Sequence, residues 1–553
     1  MHRNPSVSAH QFAMVPRADI PRSSFRMQTT HKTTFSAAFL IPVFLQEVLP
    51  GDMFNLQMTA FTRMATPIFP IMDNLYLESF FFFVPNRLVF DQWVQLMGEQ
   101  ANPADSISYL VPTVQSSAGG FARMSIYDYF GLPCAPNLGA NTISVNSLPL
   151  RSYNLIWNQW FRDENLVDQK AFSKGLGPDL ESAFTLLRRG KRHDYFTSAL
   201  PFTQKGNAVF LPLTGQATVR TAGTDLLPSG PVNPLYFTES LTRVTPPSGI
   251  AVGTGSIAGV GGRIFDQGTG PALVAPFDSG LTPTNLYADL STATSTTINA
   301  LRQSFQIQRL LERDARGGTR YTEIVRNHFG VQSPDARLQR AEYLGGGSSP
   351  INIMPVAQQS QTGLTGGATP LGTLAAVGTG LARGHGFHGA FTEHGHIIGL
   401  VNVRADLSYQ QGVRKLWFRS TRYDFYFPVF AHLGEQAVLN KEIYATGDLA
   451  QDNAAFGYQE RWAEYRYHPS MITGFFNSTD PTPLDSWHLS QKFGTLPVLN
   501  TAFIQDTTDV ILQRNLAAGA LSNNQQFLAD FFFDVKAARP MPLYSVPGLI
   551  DHF

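Results

Sequence analysis

The sequence predicts a mainly β chain with long loops, in which strands from late in the chain return beside early ones. Three observations carry that prediction. Charged residues make up 15% of the 553, against roughly 25% in ordinary globular proteins, while Phe, Gly and Pro number 42, 47 and 36. Short segments alternate apolar and polar residues or run apolar on both faces, and helical patterns are few. Aromatic runs of one kind, Phe80–Phe83 and Phe531–Phe533, stand towards opposite ends of the chain, as Greek-key and jelly-roll topologies require of strands that become neighbours.

The segment DMFNLQMTAF (Asp52–Phe61) sets Phe54, Leu56, Met58 and Ala60 against Asn55, Gln57 and Thr59, the period of a half-buried strand. NLYLESFFFFVPN (Asn74–Asn86) is apolar on both faces and ends at a Pro-Asn turn, as expected of a strand between packed layers. HIIGLVNVR, RKLWFR, RYDFYFP, RWAEYRY and ADFFFDVKA are further strand candidates. Two helices are expected. Tyr153, Ile156, Trp157, Trp160 and Phe161 form one stripe, and INALRQSFQIQRLLERDARGG places Ile298, Leu301, Phe305 and Leu311 near one face before stopping at Gly317-Gly318. Two segments differ in composition: Thr214 to about Leu290, rich in Gly, Thr, Pro and Ser and read as a small folded outgrowth, and the Gly/Thr-rich loop Gln358–Gly384.

Length suffices for an ample core, and the single cysteine, Cys134, excludes an intrachain disulfide framework. The N-terminal MHRNPSVSAHQF lacks the apolar region of a secretory signal, and no apolar run reaches membrane-spanning length. A soluble protein of a reducing cytoplasm, or one released without a secretion signal, is expected. Lys+Arg and Asp+Glu are both 41, so formal net charge is zero. A free monomer of that charge has little protection from association, which points to assembly.

The stretch RGHGFHGAFTEHGHIIG concentrates His385, His388, His394 and His396. His394 and His396 at i, i+2 share a strand face, as in the metal pairs of cupin-like enzymes. No carboxylate follows where that pattern needs one, so the main reading is turn and contact histidines, with a metal site as the minor alternative. GTGLARG and GTGSIAG are neither dinucleotide nor P-loop fingerprints, no GxSxG elbow occurs, and no catalytic constellation or cofactor site emerges. Two basic groups, Arg188, Arg189, Lys191 and Arg192 in LLRRGKRHDY and Arg302, Arg309, Arg313 and Arg316 on the helix beginning at Ile298, are solvated surface or contacts to nucleic-acid phosphate.

Several stretches together resemble one family: LIPVFLQEVLPGDMF, RMATPIFPIMDN, FFFFVPNRLVFDQW, GKRHDYFTSALP, RGGTRYTEIVRNHFGVQSPDARLQRAEYLGG, FTEHGHIIGLVNVRADLSYQQG and FGYQERWAEYRYHPS. They are similar to the major capsid protein of small single-stranded-DNA bacteriophages, in the gokushovirus branch of the microviruses. The resemblance runs from about Arg22 to beyond Trp487 and places EHGHIIG at the start of a shell strand rather than in a metalloenzyme.

That resemblance implies an eight-stranded antiparallel jelly roll with long insertions, sixty copies of which build a T=1 icosahedral virion shell around a circular single-stranded DNA genome. It implies no cofactor and no membrane insertion, assembly in the host bacterial cytoplasm, and four further partners: a small basic DNA-binding protein, an internal scaffolding protein, a pilot protein and a host surface receptor. Residues 1–213 are then an N-terminal arm and the first part of the jelly roll, 214–290 a surface insertion forming the threefold protrusion, and 291–553 the remainder. Gly249, Gly259 and Gly270 mark the host-facing insertion. Arg188, Arg189, Lys191, Arg192, Arg309, Arg313 and Arg316 are the candidate DNA-facing cations. Trp157, Trp160, Trp417 and Trp462 are candidate interface anchors.

Overall fold

The structure, a computed structural model, describes residues 21–207, 209, 298–331, 339–359, 372–517 and 525–544, with the backbone of short strands between 218 and 289. Eight strands form one antiparallel sheet: β1 (Ser23–Phe35), β2 (Ile41–Val48), β3 (Met53–Met64), β4 (Leu75–Pro85), β5 (Glu342–Ala357), β6 (Leu374–Ala390), β7 (Gly395–Ala405) and β8 (Phe527–Arg539). Their order is β1-β8-β3-β6-β5-β4-β7-β2. The pairs nest: first with last, second with seventh, third with sixth, fourth with fifth. A long antiparallel ribbon rolled on itself gives this jelly-roll order. The two edge strands meet where His31 on β1 donates through Nδ1 to the Val43 carbonyl on β2, at 2.9 Å, so the sheet nearly closes.

Period-two alternation decides which side chains enter the barrel. On β3, Phe54, Leu56, Met58 and Ala60 are buried while Asn55 and Gln57 face solvent. β4 is buried on both sides. Phe81 and Phe83 join Phe44, Phe387, Phe391 and Phe533 inside the barrel, with ring centroids 4.6 Å apart for Phe83–Phe391 and 5.0 Å for Phe44–Phe533. Phe82 and Val84 point the other way, into a second core. On β7, Ile397, Val401 and Val403 turn inward while Ile398 and Leu400 turn outward. β4 and β7 therefore lie between two cores, and the half-sheet β1-β8-β3-β6 leaves its outer face to solvent.

The second core comes from the connection between β4 and β5. Helix α1 (Leu148–Ile156) presents Tyr153 and Ile156 to the sheet. A wider turn then carries the chain through Phe161, with the Arg162 amide donating to the Trp157 carbonyl at 3.0 Å. Inside this layer Arg151 makes a two-pronged ion pair with Asp179, at 2.7 and 2.8 Å, and donates to the carbonyls of Val89 and Gly175. The buried charge is thereby fully hydrogen-bonded, as its desolvation demands. A third core gathers Tyr195, Phe196, Val438, Phe456 and Phe503 beside the connection between β7 and β8.

Three expectations are corrected. RKLWFR, RYDFYFP and RWAEYRY are not strands; they hold the short 3-10 turns Lys415–Phe418, Arg422–Asp424, Pro428–Phe430 and Ala463–Tyr465. Aromatic density resembles strand propensity, but Asp424 accepts from the Ser420 and Thr421 amides and Pro428 opens a turn, which holds the backbone curled. The segment from Leu374 to Gly384 belongs to β6 rather than to a loop, with residues 360–371 outside those described. Helix α2 (Ile298–Arg316) forms and stops before Gly318 at φ +96° as expected, but Phe305 on its apolar stripe is exposed. A further helix, α3 (Tyr321–Phe329), follows.

The chain divides into two compact units, Met1–Thr203 with Asp314–Phe553, and Gln204–Arg313. Within the second, short strand pairs join Thr218–Thr221 to Leu286–Asp289 and Phe237–Thr238 to Thr282–Pro283.

Two measurements test this packing. Phe81→Ala opens a cavity in the barrel core and is expected to cost about 3–5 kcal/mol, read as a lower denaturant midpoint. His396 is buried on β7, its Nδ1 atom has no hydrogen-bond partner among the described residues, and burial pushes its pKa down to about 4. The unfolded imidazole protonates near pH 6.5, so acid favours the unfolded chain. Stability is full above about pH 6.5 and falls by about 3 kcal/mol towards pH 4. His396→Leu is expected to flatten the fall of the melting midpoint across that window.

Candidate assembly surface

The basic group of LLRRGKRHDY is held against the barrel rather than displayed. Antiparallel bridges pin Arg188 to Phe39 and Gly190 to Gln505. Arg188 grips Asp509 with both nitrogens, at 2.7 and 2.6 Å, and lies over the Phe39 ring. Glu78, buried on the outward side of β4, receives Arg189, Arg404 at 3.1 Å and Arg192 at 3.7 Å. One carboxylate thus faces three guanidinium groups in a desolvated site. Burial, with the neighbouring Arg404 cation, pushes Arg189 down to about 9. Burial likewise lowers Lys191 to about 8, where its ammonium sits over the Phe503 ring and donates to Gln491 at 2.8 Å. Lys191 is buried, Arg188 and Arg189 are partly buried in ion pairs, and Arg192, paired with Asp406, is half exposed. On α2, Arg309 and Arg313 face solvent, and Arg316 is paired with Glu435.

Beyond β7 the chain runs as an irregular strap that leaves much of its apolar surface exposed. Trp417 is 74% exposed and Val429 85%, with Leu416, Tyr423, Phe425, Tyr426 and Leu433 exposed around them. The strap is tied down by cations, Lys415 to Glu442 at 3.6 Å and Arg419 to Glu464 at 3.4 Å, and by Tyr426 against the rings of Trp462 and Tyr465. Beside it opens a cleft of about 750 Å³ lined by Arg192, Tyr409, Trp417, Arg419, Tyr465 and Tyr467 among others. An exposed apolar area of this extent marks a protein contact in a soluble chain.

The four candidate tryptophans separate. Trp157 and Trp462 are buried, with their indole N–H groups on the carbonyls of Arg188 and Phe430, which leaves them little surface for a neighbour. Trp160 is 40% exposed, donates to the Ala341 carbonyl and carries Arg340 over its ring at 3.9 Å. Trp417 is the fully displayed member. Sequence reading missed Tyr423, Phe425 and Val429. Tyr423, Phe425, Phe427 and Val429 recur at every second position, which reads as a strand face; the contrary signal is Pro428 within the run.

The histidines are not brought together. His385 lies between Ser79 and Ser349, at 2.8 and 2.9 Å, where the missing side chain of Gly347 leaves room for its ring. His388 is exposed, His394 meets the Trp93 ring edge-on, and His396 is buried on the next strand. Among the described residues no group of three or more His, Cys, Asp or Glu is placed to hold a metal ion. Gly249, Gly259 and Gly270 lie outside the described residues.

A jelly roll with long insertions and a displayed aromatic strap agrees with comparison to known proteins. The family model described as "Capsid protein (F protein)" matches residues 13–549. The chain belongs to that capsid family. It is 44% identical over 549 residues to capsid protein VP1 of Bdellovibrio phage phiMH2K, covering 98% of each chain. It is 41% identical to VP1 of Chlamydia phage 1, covering 99% of this chain and 98% of that one. Against VP1 of Spiroplasma virus 4 the identity is 37%, over 98% and 97%. The resemblance to gokushovirus-type major capsid proteins therefore holds over nearly the whole chain. The protein is a structural capsid subunit of a virion, not an enzyme, and its work is self-association into a shell. Among the described residues no helix is long and apolar enough to cross a membrane.

Trp417 and Trp462 give opposed expectations. Trp462→Ala removes buried surface and should cost about 3–5 kcal/mol of subunit stability. Trp417→Ala should stay within about 0.5 kcal/mol. Melting curves of the unassembled subunit read both.

Proposed function

We propose that sixty copies of this chain close into a T=1 icosahedral shell around a circular single-stranded DNA genome in the host bacterial cytoplasm. The exposed strap around Trp417, Tyr423, Phe425 and Val429 is the observation that carries this reading. In a chain of zero net charge such a surface is poorly kept apart from its copies, and a closed symmetric assembly covers it without leaving free ends. Each contact needs only modest strength, because later contacts in a closing shell are intramolecular.

A neutral subunit cannot balance a packaged genome, since each phosphate adds a negative charge. A small basic DNA-binding protein and counterions supply the rest, with Arg309 and Arg313 as exposed candidates for phosphate. An internal scaffolding protein guides closure and a pilot protein travels in the particle. Residues 214–290 form the threefold protrusion that meets the host receptor. Gly- and Thr-rich tips suit a surface that varies without disturbing the scaffold.

Sedimentation with electron microscopy of the purified protein tests the shell. Uniform icosahedral particles or pentamers are expected, and a persistent monomer contradicts it. Deleting Gly249–Gly270 should leave particles intact and lower attachment to host cells; loss of particles would make that segment structural instead.

A further inference from the structure

Among the described residues the half-sheet β1-β8-β3-β6 keeps one face open, and its side chains form rows fixed by the strand register. One row reads Lys32, Asp530, Phe61, Leu381, and the next Thr30, Phe532, Thr59. A third row is Gln28, Asp534, Gln57, and a fourth Arg26, Lys536, Asn55, His388. Two aromatic rings therefore stand in the middle of the face, 50% exposed for Phe61 and 39% for Phe532. They are diagonal neighbours, about 7–8 Å apart by strand geometry. Alternation explains why they point outward: the residues before and after each of them are buried.

Charge on this face is one-sided. Its two carboxylates are already engaged, Asp534 by both prongs of Arg26 at 2.9 and 2.8 Å and Asp530 by Lys32 at 3.1 Å. Arg63, Arg383 and Lys536 are exposed and make no salt bridge among the described residues. Around them lie amides and hydroxyls, with Leu381 beside Phe61 and Leu528 beside Arg63 as further exposed apolar side chains.

We propose that this face binds single-stranded nucleic acid, with bases stacked on Phe61 and Phe532 and phosphates held by Arg63, Arg383 and Lys536. Every base has a flat π-face, so two exposed rings accept any sequence, while the cations follow the backbone. Amide and hydroxyl groups such as Gln28, Gln57, Asn55 and Thr59 are suited to base edges and sugar. A second copy is the weaker occupant, because facing copies of one surface would oppose cation to cation. The apolar strap is the better ground for that contact. The inference rests on the shell reading for its biological setting and identifies this face as the inner one, but its chemistry is tested separately.

Full-length protein kept below its assembly concentration is titrated into a fluorescent oligo-dT, with anisotropy as the readout and sedimentation run on the same samples. Phe61→Ala with Phe532→Ala should weaken binding roughly tenfold or more. Replacing Arg63, Arg383 and Lys536 with Gln should make the slope of log affinity against log salt shallower by about 2, as expected for three lost phosphate contacts on a single strand. Both variants should sediment as the parent does. Unchanged affinity and slope overturn the proposal, and altered sedimentation with unchanged affinity reassigns the face to a contact between copies. Photocrosslinking of iododeoxyuridine DNA to the unaltered protein needs no variant to fold. Crosslinks on β3 and β8 support the proposal, and crosslinks confined to other segments overturn it. Particles that form normally with a face that binds no DNA sink this inference alone, whereas a chain that binds DNA here yet stays monomeric as its concentration is raised sinks the shell reading alone.

Discussion

The structure depends on one strand being buried on both sides. In β4, Phe81 and Phe83 enter the barrel while Phe82 and Val84 enter the layer laid over it by α1. A slip of one residue would exchange the two sets, so two cores fix the register of β4 at once. Its pairing with β5 and β7 then carries that register through the half-sheet. The long connection after β4 is thus part of the fold's foundation, because it covers apolar surface that a bare jelly roll would leave wet.

Glu78, on the outward side of the same strand, ties down the chain that follows. Arg189 and Arg192 come from the segment that leaves the inserted layer, and Arg404 from the end of β7. Three cations around one buried carboxylate hold these segments at the base of the aromatic strap. The barrel unit shows apolar rings on one loop surface and mostly polar rows with two rings on one sheet face. Those two exposed surfaces differ in chemistry: the first suits another protein surface, the second a polyanion with flat bases.

Much of the barrel was legible because a half-buried strand writes its burial into alternate residues. β3 and β8 read directly, and the aromatic runs of β4 and β8 foretold strands from both chain ends in one barrel, where Phe44 of β2 contacts rings of both. The strap was misread as strands, since aromatic residues that serve a partner look like aromatic residues that serve a sheet until the backbone is seen to curl. The ion cluster was illegible: Glu78 and Arg189 are 111 positions apart, and Glu78 and Arg404 are 326. Nothing in LLRRGKRHDY says that its cations turn inward. The histidine stretch misled in the opposite way, because residues close in sequence were divided between two strands and a turn, each meeting different neighbours.

A reconstruction of assembled particles by electron cryo-microscopy tests the central claim most directly. The account predicts a closed icosahedral shell in which Trp417, Tyr423, Phe425 and Val429 are covered by a neighbouring subunit. A closed shell in which that strap stays open to solvent would contradict it, and the basis of assembly would have to be sought elsewhere on the subunit.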